Sequence, residues 1–162
     1  MVTNMVVELA HAPLDTADDE AALARSGITL VNKRGADREE QAWIRRTFTP
    51  TWAKEAYYAW NWFARDRAGA IVGFASYEQR HYRWWWLRAW SHQNDVGIFG
   101  PVGVNPALRG KHIGCVLTRR ALESIKRLGY TRAVIPRVGP IEFYRRCCNA
   151  QLADQVRLFG IF

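Results

Sequence analysis

The second half of the chain alternates between strand-like and helix-like hydrophobic patterns. Between residues 96 and 104, valine and isoleucine fall on one face, which predicts a strand, and Gly100-Pro101 interrupts it, which predicts a bulge. After the turn "RGKHIG" (109–114), apolar residues recur at helical spacing as far as Leu128, and Gly129 can end that helix. This order predicts an α/β (α+β) domain whose sheet is partly parallel around the long helix.

Three further segments complete the second half of this pattern. The run "RAVIPRV" (132–138) predicts a strand, and "GPIEFYRRCC" (139–148) predicts a helix that stops at Asn149, a residue that tolerates the left-handed conformation. The final run, "QVRLFGIF" (155–162), predicts a last strand. We therefore expect the sheet to continue beyond the long helix.

Capping signals divide the first half of the chain into short elements. Asp37 and Glu40 form a capping-box pattern that predicts a helix over roughly 37–48, and Thr49 followed by Pro50 predicts the start of another, with Trp52 and Ala56 on its buried face. The runs 28–33 and 62–78 predict a strand and a hairpin that turns at a glycine. Residues 1–26 are interpreted as a peripheral N-terminal extension with a short helix, and residues 27–162 as one domain.

Charge and cysteine content narrow the possible functions. The 162 residues carry a formal net charge of +8, which favours anionic ligands such as nucleotides, phosphates and nucleic acids. Three cysteines and four histidines form neither a disulfide framework nor a zinc pattern, so no metal site is predicted. No apolar run is long enough for a membrane span, and the acidic run "DTADDE" does not fit a signal peptide, so a cytoplasmic protein is expected.

The run "HYRWWWLRAW" (81–90) concentrates aromatic and basic side chains. These rings could pack as core at a sheet edge, line a groove for a substrate or form a homodimer surface. They also suit a nucleic-acid-binding module, in which aromatic rings stack on bases and arginines follow phosphates. Nucleic acid is nevertheless the less favoured ligand, because the rings form one local run and leave the turn at 109–114 unexplained.

The turn at 109–114 joins the predicted strand to the long helix and can bind an anion. A helix N-terminus presents unpaired N–H groups and a partial positive charge, and Arg109 and Lys111 add full charges beside it. The turn matches neither the P-loop nor the dinucleotide-binding fingerprint. An ordinary surface connection with solvated basic residues has the same composition.

The run "VGVNPALRGKHIGCVLTRRALESIKRLGY" resembles the acyl-CoA signature of the GNAT acyltransferase superfamily, in which a basic, glycine-containing turn follows a bulged strand and leads into a helix. "GPIEFYRRCCNA" and "DRAGAIVGFASY" are similar to the later "FY" element and to the hairpin before the signature strand. The resemblance covers roughly residues 28–162. It implies a GNAT fold, with a mixed central sheet flanked by helices and a splayed strand at the cofactor site.

The resemblance also implies acetyl-CoA as cosubstrate and a set of residues that bind it. Backbone groups of Val102 and Val104 would pair with the pantetheine arm, and an N–H near Val102 to Gly103 would donate to the oxyanion. Tyr144 would protonate the leaving thiolate. The diphosphate would lie on backbone and side-chain groups of the turn: Arg109, Gly110, Lys111, His112, Ile113 and Gly114.

This sequence departs from the family pattern at two positions. His112 stands where the signature has its middle glycine, so a positive φ there would cost the side chain on the order of 1–3 kcal/mol. Asn149 replaces the glycine of the later element, which is a milder change because asparagine tolerates the left-handed region.

The expected function is transfer of an acetyl group from acetyl-CoA to a primary amine of a small molecule, by direct attack in a ternary complex. Glu78, at the end of the hairpin, is the first candidate for the general base, and His92 and Asp95 are the others. The many arginines favour a neutral or acidic amine-bearing acceptor over a polycation. The alternatives are a catalytically silent acyl-CoA-binding protein and the nucleic-acid-binding module.

Overall fold

The computed structural model describes residues 3–78 and 95–153, which form one mixed sheet with helices on both faces. The predicted run 81–90, His92 and the predicted last strand at 155–162 lie outside the described residues. The elements, in chain order, are β1 (Met5–Glu8), α1 (Ala17–Arg25), β2 (Thr29–Arg34), α2 (Arg38–Thr47), α3 (Pro50–Tyr57), β3 (Trp60–Arg65), β4 (Ile71–Tyr77), β5 (Val96–Val104), a 3-10 turn (Pro106–Leu108), α4 (Ile113–Arg127), β6 (Arg132–Ile135), α5 (Ile141–Cys148) and β7 (Gln151–Leu152).

The local signals in the sequence produce the elements that they predict. Asp37 accepts a hydrogen bond from the backbone N–H of Glu40, and Glu40 accepts one from the N–H of Asp37, so the capping box at the start of α2 is confirmed. Thr49 accepts from the N–H of Trp52 and caps α3. The hairpin of β3 and β4 is confirmed, and its turn contains Gly69 with φ at 83°.

The strand order of the described sheet is β2-β3-β4-β5-β6-β1-β7. β5 and β6 pair in parallel and are joined through α4, whereas the other neighbouring strands pair antiparallel. The predicted partly parallel sheet around the long helix is therefore confirmed.

The interpretation of residues 1–26 as peripheral is wrong for β1. Met5–Glu8 pairs with β6 on one side and with β7 on the other, and Met5, Val6 and Val7 are buried. The sequence signal of a four-residue strand is weak, and its position depends on partners more than 120 residues away in the chain. The boundary between residues 26 and 27 stays a prediction.

The sheet separates two apolar layers. On one face, α4 packs its buried residues, including Val116, Leu117 and Ile125, against the sheet together with α1 and α5. On the other face, α2 and α3 cover Phe63 and Phe74 with an aromatic cluster that includes Trp43. The layers fix the positions of the strand ends and helix ends at which the candidate site lies.

Within the described residues, none of the helices combines the length and apolar character that crossing a membrane requires.

Candidate cofactor and active site

A cavity opens where β5 and β6 separate. The two strands pair only between Val96–Ile98 and Arg132–Val134. Beyond Ile98 and Val134, the two chain segments separate from each other. The cavity has a volume of about 1160 Å³ and is lined by residues 99–104 of β5, by the last residue of β6 and by residues 136–140 after it. Because such a volume exceeds the usual range for one small ligand, it can hold a cosubstrate together with a small acceptor.

The predicted bulge lies in the wall of this cavity. Between the Ala75–Val102 and Tyr77–Phe99 pairs, β4 advances by two residues while β5 advances by three. The extra residue falls at Gly100-Pro101, where the peptide bond is cis, so the prediction of a bulge at this dipeptide is confirmed. The bulge interrupts the regular pairing of β4 and β5 beside the cavity.

The N-terminus of α4 forms the next part of the cavity wall. Gly110 and His112 both have positive φ, at 87° and 64°, and His112 occupies the N-cap position without a side-chain capping bond. The positive φ that the sequence analysis considered at His112 is therefore present. The first N–H groups of α4 have no intrahelical partner and carry the positive end of the helix dipole, so this wall can bind a diphosphate.

Basic side chains surround the same wall. Four arginines and one histidine line the cavity: Arg109, Arg119, Arg137, Arg146 and His112. Of the predicted cofactor residues, the structure brings all except Lys111 to the cavity lining. Lys111 is exposed on the same turn. The three arginines outside the turn were not identified from sequence, because each lies in a different element and only the fold brings them together.

Tyr144 lies in the cavity wall on α5 and is 6% exposed. Its ring makes edge contacts with the rings of Phe99 and Phe143, at centroid distances of 6.1 and 5.0 Å. Burial raises the pKa of Tyr144 well above its ordinary value, with a smaller contribution from Cys148. The hydroxyl is therefore protonated at neutral pH, as a proton donor must be.

Glu78 lies at the closed end of the opening, outside the described cavity lining. Its Oε1 accepts a hydrogen bond of 3.3 Å from the N–H of Ile98, the last residue of β5 that pairs with β6. Its own N–H donates to the carbonyl of Ile98, and its φ is 53°. Asp95, the other described base candidate, is exposed with φ at 58°. Direct contact between Glu78 and a ligand in the cavity is not supported by this placement.

Cys115 and Cys147 form a disulfide in the cavity wall, with their Cα atoms 5.5 Å apart. The three cysteines show no disulfide framework in the sequence, and this pairing was not predicted from it. The bond joins the first turn of α4 to the last turn of α5, and Arg119 reinforces this junction by donating to the carbonyl of Cys147 at 2.8 Å. Cys148 is a buried free thiol whose pKa burial raises to about 12.

A further part of the cavity wall comes from the end of α2 and from α3. Phe48 contacts β5 so closely that a Cβ added to Gly103 would lie 2.5 Å from its ring, so any larger residue there would displace that ring. Thr51, Trp52 and Glu55 continue this wall along α3. The sequence placed Trp52 on a buried face but gave no indication that this face borders a cavity. Nothing in the sequence marked Glu55.

The family follows from comparison of the whole chain. Residues 33–149 match the Acetyltransferase (GNAT) family, and this chain belongs to that family. The resemblance that the signature turn suggested is thereby confirmed, and so is the expected mixed α/β fold. No curated protein matches the sequence.

Solved structures with the same fold come from several sources. The chain is similar to a fungal GCN5-related glucosamine N-acetyltransferase region of a multi-domain GH3 β-N-acetylglucosaminidase, with a TM-score of 0.67, 18% identity and coverage of 93% of this chain and 20% of that one. A GCN5-related N-acetyltransferase from Kribbella flavida aligns with a TM-score of 0.57, 18% identity and coverage of 93% and 54%. A GNAT family N-acetyltransferase from Escherichia coli, solved in complex with CoA, aligns with a TM-score of 0.56 and 18% identity. The alignment covers 74% of this chain and 67% of that one. This chain spans about half or less of the length of the first two.

Proposed function

We propose that this protein is an N-acetyltransferase that transfers the acetyl group of acetyl-CoA to a primary amine of a small molecule. Membership in the acetyltransferase (GNAT) family supports acyl transfer. The observation that carries the proposal is the single cavity that joins the diverging ends of β5 and β6 to the N-terminus of α4. One end of it suits an amide-containing arm, and the other suits a diphosphate.

The cosubstrate would lie along this wall. Backbone groups of Val102 and Val104, next to the bulge, would pair with the pantetheine amides. The N–H groups of residues 109–114 would bind the diphosphate, and Arg109 would neutralise part of its charge. Arg119 and Arg146 line the same cavity and supply further positive charge for the phosphates of CoA.

The chemistry needs three groups around the thioester. The neutral amine attacks the thioester carbonyl, a C–N bond forms, and the C–S bond breaks as the thiolate leaves. A backbone N–H at Val102 or Gly103 would stabilise the oxyanion. The hydroxyl of Tyr144 would give its proton to the thiolate as it departs. Burial raises the pKa of this hydroxyl, which keeps it protonated at neutral pH and also makes it a weaker acid.

Glu78 would accept the proton of the attacking amine through water. Its carboxylate is fixed by the N–H of Ile98 at the point where the strands separate, which places it beside the closed end of the cavity rather than inside it. Glu78→Gln should lower kcat at neutral pH by about 100-fold and leave the Kd of acetyl-CoA within twofold of its original value. Unchanged kcat would exclude Glu78 as the base.

The proposed function itself is tested by two measurements on the full chain. Acetyl-CoA and longer acyl-CoAs are first compared by thermal shift, where a ligand that binds only the folded state raises Tm. Thiol release is then followed with a panel of primary amines. Acetyl-CoA should raise Tm and at least one amine should release thiol. Binding with no release from any amine would favour the silent acyl-CoA-binding alternative, and stabilisation by single-stranded DNA alone would favour the nucleic-acid module.

A further inference from the structure

The Cys115–Cys147 disulfide lies in the wall of the cavity that would hold acetyl-CoA. Cys115 is the third residue of α4, beside the turn proposed to bind the diphosphate, and Cys147 is the second-last residue of α5. Tyr144, the proposed proton donor, lies three residues before Cys147 on the same helix and lines the same cavity. One covalent bond therefore connects the wall proposed for the phosphates to the helix that carries the proposed acid.

The position of a cationic side chain depends on the same junction. Arg119 lies four residues after Cys115, on the same side of α4, and lines the cavity. Its Nε donates to the carbonyl of Cys147 at 2.8 Å, and its Nη1 lies 3.9 Å from a carboxylate oxygen of Asp19. A displacement of Cys147 would therefore change the acceptor that orients this guanidinium.

Reduction of the disulfide would allow this wall to change shape. A dithiol such as dithiothreitol breaks the S–S bond with two electrons and two protons, which leaves two protein thiols and a cyclic disulfide of the reductant. Two thiol sulfur atoms cannot approach as closely as two bonded ones, so in a densely packed wall the helix ends must separate. The apolar contacts of α4 and α5 remain, but no covalent bond then fixes the spacing of the two helices.

We propose that the Cys115–Cys147 disulfide controls the affinity for acetyl-CoA, so that the oxidised protein binds it tightly and the reduced protein binds it weakly. This inference rests on the proposed acetyl transfer. A site whose walls are already in place loses less conformational freedom when its ligand binds. The disulfide would thus act as a redox-sensitive switch on cosubstrate binding, in addition to its contribution to the stability of the fold.

Binding of the cosubstrate should in turn favour the oxidised protein. Cys115 is half-buried and Cys147 is 3% exposed, and both line the cavity, so a ligand in the cavity would cover the approach to the sulfur atoms. Linkage also requires that a ligand favours the oxidised state at equilibrium by the same factor by which oxidation strengthens its binding. Two independent measurements therefore report the same coupling.

The first measurement is the Kd of acetyl-CoA, by calorimetry on the full chain before and after reduction. Dithiothreitol is removed under argon before the titration, so that it cannot attack the thioester. Cys148→Ala is the matched control, because it removes the free thiol and keeps the disulfide. Cys115→Ser/Cys147→Ser removes the bond, and Cys115→Ala/Cys147→Ala removes it with smaller side chains, in case the serine variant does not fold. Circular dichroism shows whether each sample is folded at the temperature of the titration.

The second measurement is the equilibrium between disulfide and thiols in mixtures of reduced and oxidised dithiothreitol. It is made with and without S-ethyl-CoA, a thioether that dithiols do not cleave. The fraction of reduced protein is read by alkylation of the thiols and mass spectrometry. The Cys148→Ala protein is used, so that each alkylated thiol belongs to Cys115 or Cys147.

The oxidised protein and oxidised Cys148→Ala should bind acetyl-CoA at least about tenfold more tightly than the reduced protein and the double variants. Saturating S-ethyl-CoA should favour the disulfide by at least about tenfold in the equilibrium constant. Equal Kd values in the two redox states, or an unchanged equilibrium, would overturn the inference and leave the proposed function standing. Unfolding of the reduced protein and of both double variants would also overturn it, because the bond would then serve the whole fold. Absence of acetyl-CoA binding in every sample would instead refute the proposed function, and this inference with it.

Discussion

His112 is a non-glycine residue at a position of the turn where the backbone conformation favours glycine. Its φ of 64° and ψ of 9° place it in the left-handed region, where a side chain normally carries a cost and glycine carries none. Histidine is among the residues that tolerate this region better than most. The turn therefore keeps its left-handed conformation at a modest cost in stability.

Substitutions at His112 should reveal that cost in the free energy of unfolding. His112→Gly should raise the free energy of unfolding by up to about 1 kcal/mol, and the β-branched His112→Val should lower it by about 1–2 kcal/mol. Arg109→Gly is the matched control, because Arg109 has φ at −63° and a glycine there only adds flexibility to the unfolded chain. Urea denaturation without ligand gives all three values. Destabilisation by His112→Gly as large as that by His112→Val would contradict this account of the turn.

Tyr144 offers a second test at the level of one side chain. Because burial raises its pKa, the hydroxyl should stay protonated through the ordinary tyrosine value near 10, and its deprotonation should not limit turnover below that pH. Tyr144→Phe should lower kcat by about 100-fold with little change in the Kd of acetyl-CoA. The pH profile of kcat measures this. A loss of activity between pH 8 and 10 that disappears in Tyr144→Phe would show that the pKa is not raised.

At the level of elements, the site depends on two helices that are held against each other. The N-terminus of α4 would bind the diphosphate and α5 carries Tyr144, and the Cys115–Cys147 disulfide joins the two helices directly beside the cavity. Cytosolic thiols are usually kept reduced, so this bond and the predicted cytoplasmic location favour different compartments. The state of these two cysteines therefore bears on where the protein works.

Reduction should release this connection and lower stability. The cysteines are 32 residues apart, and closing a loop of that length contributes about 3–4 kcal/mol in the chain-entropy view. Urea denaturation with and without dithiothreitol should show that loss, and the double variant Cys115→Ser/Cys147→Ser should not respond to the reductant. Thiol titration of the unfolded protein should find one free thiol before reduction, from Cys148, and three after it. Three thiols before reduction would contradict the disulfide.

At the level of the whole molecule, the features that sequence could predict were those set by neighbouring residues. The capping box of Asp37 and Glu40, the bulge at Gly100-Pro101 and the periodic face of α4 each depend on a few adjacent positions, and each is confirmed. The position of β1, the Cys115–Cys147 bond and the cavity wall at Glu55 depend on which distant segments meet. Periodicity alone does not determine such tertiary contacts, because it shows that a face is apolar but not what packs against it.

The central claim is that the separated ends of β5 and β6 and the N-terminus of α4 bind one molecule of acetyl-CoA together. The most direct measurement is the change in backbone amide NMR signals when acetyl-CoA is added to saturation. The amide signals of the 99–104 segment and of the 109–114 turn should both shift, with the same half-saturating concentration of acetyl-CoA. If the signals of one segment or of both do not move, the claim is contradicted. Different half-saturating concentrations for the two segments would also contradict it.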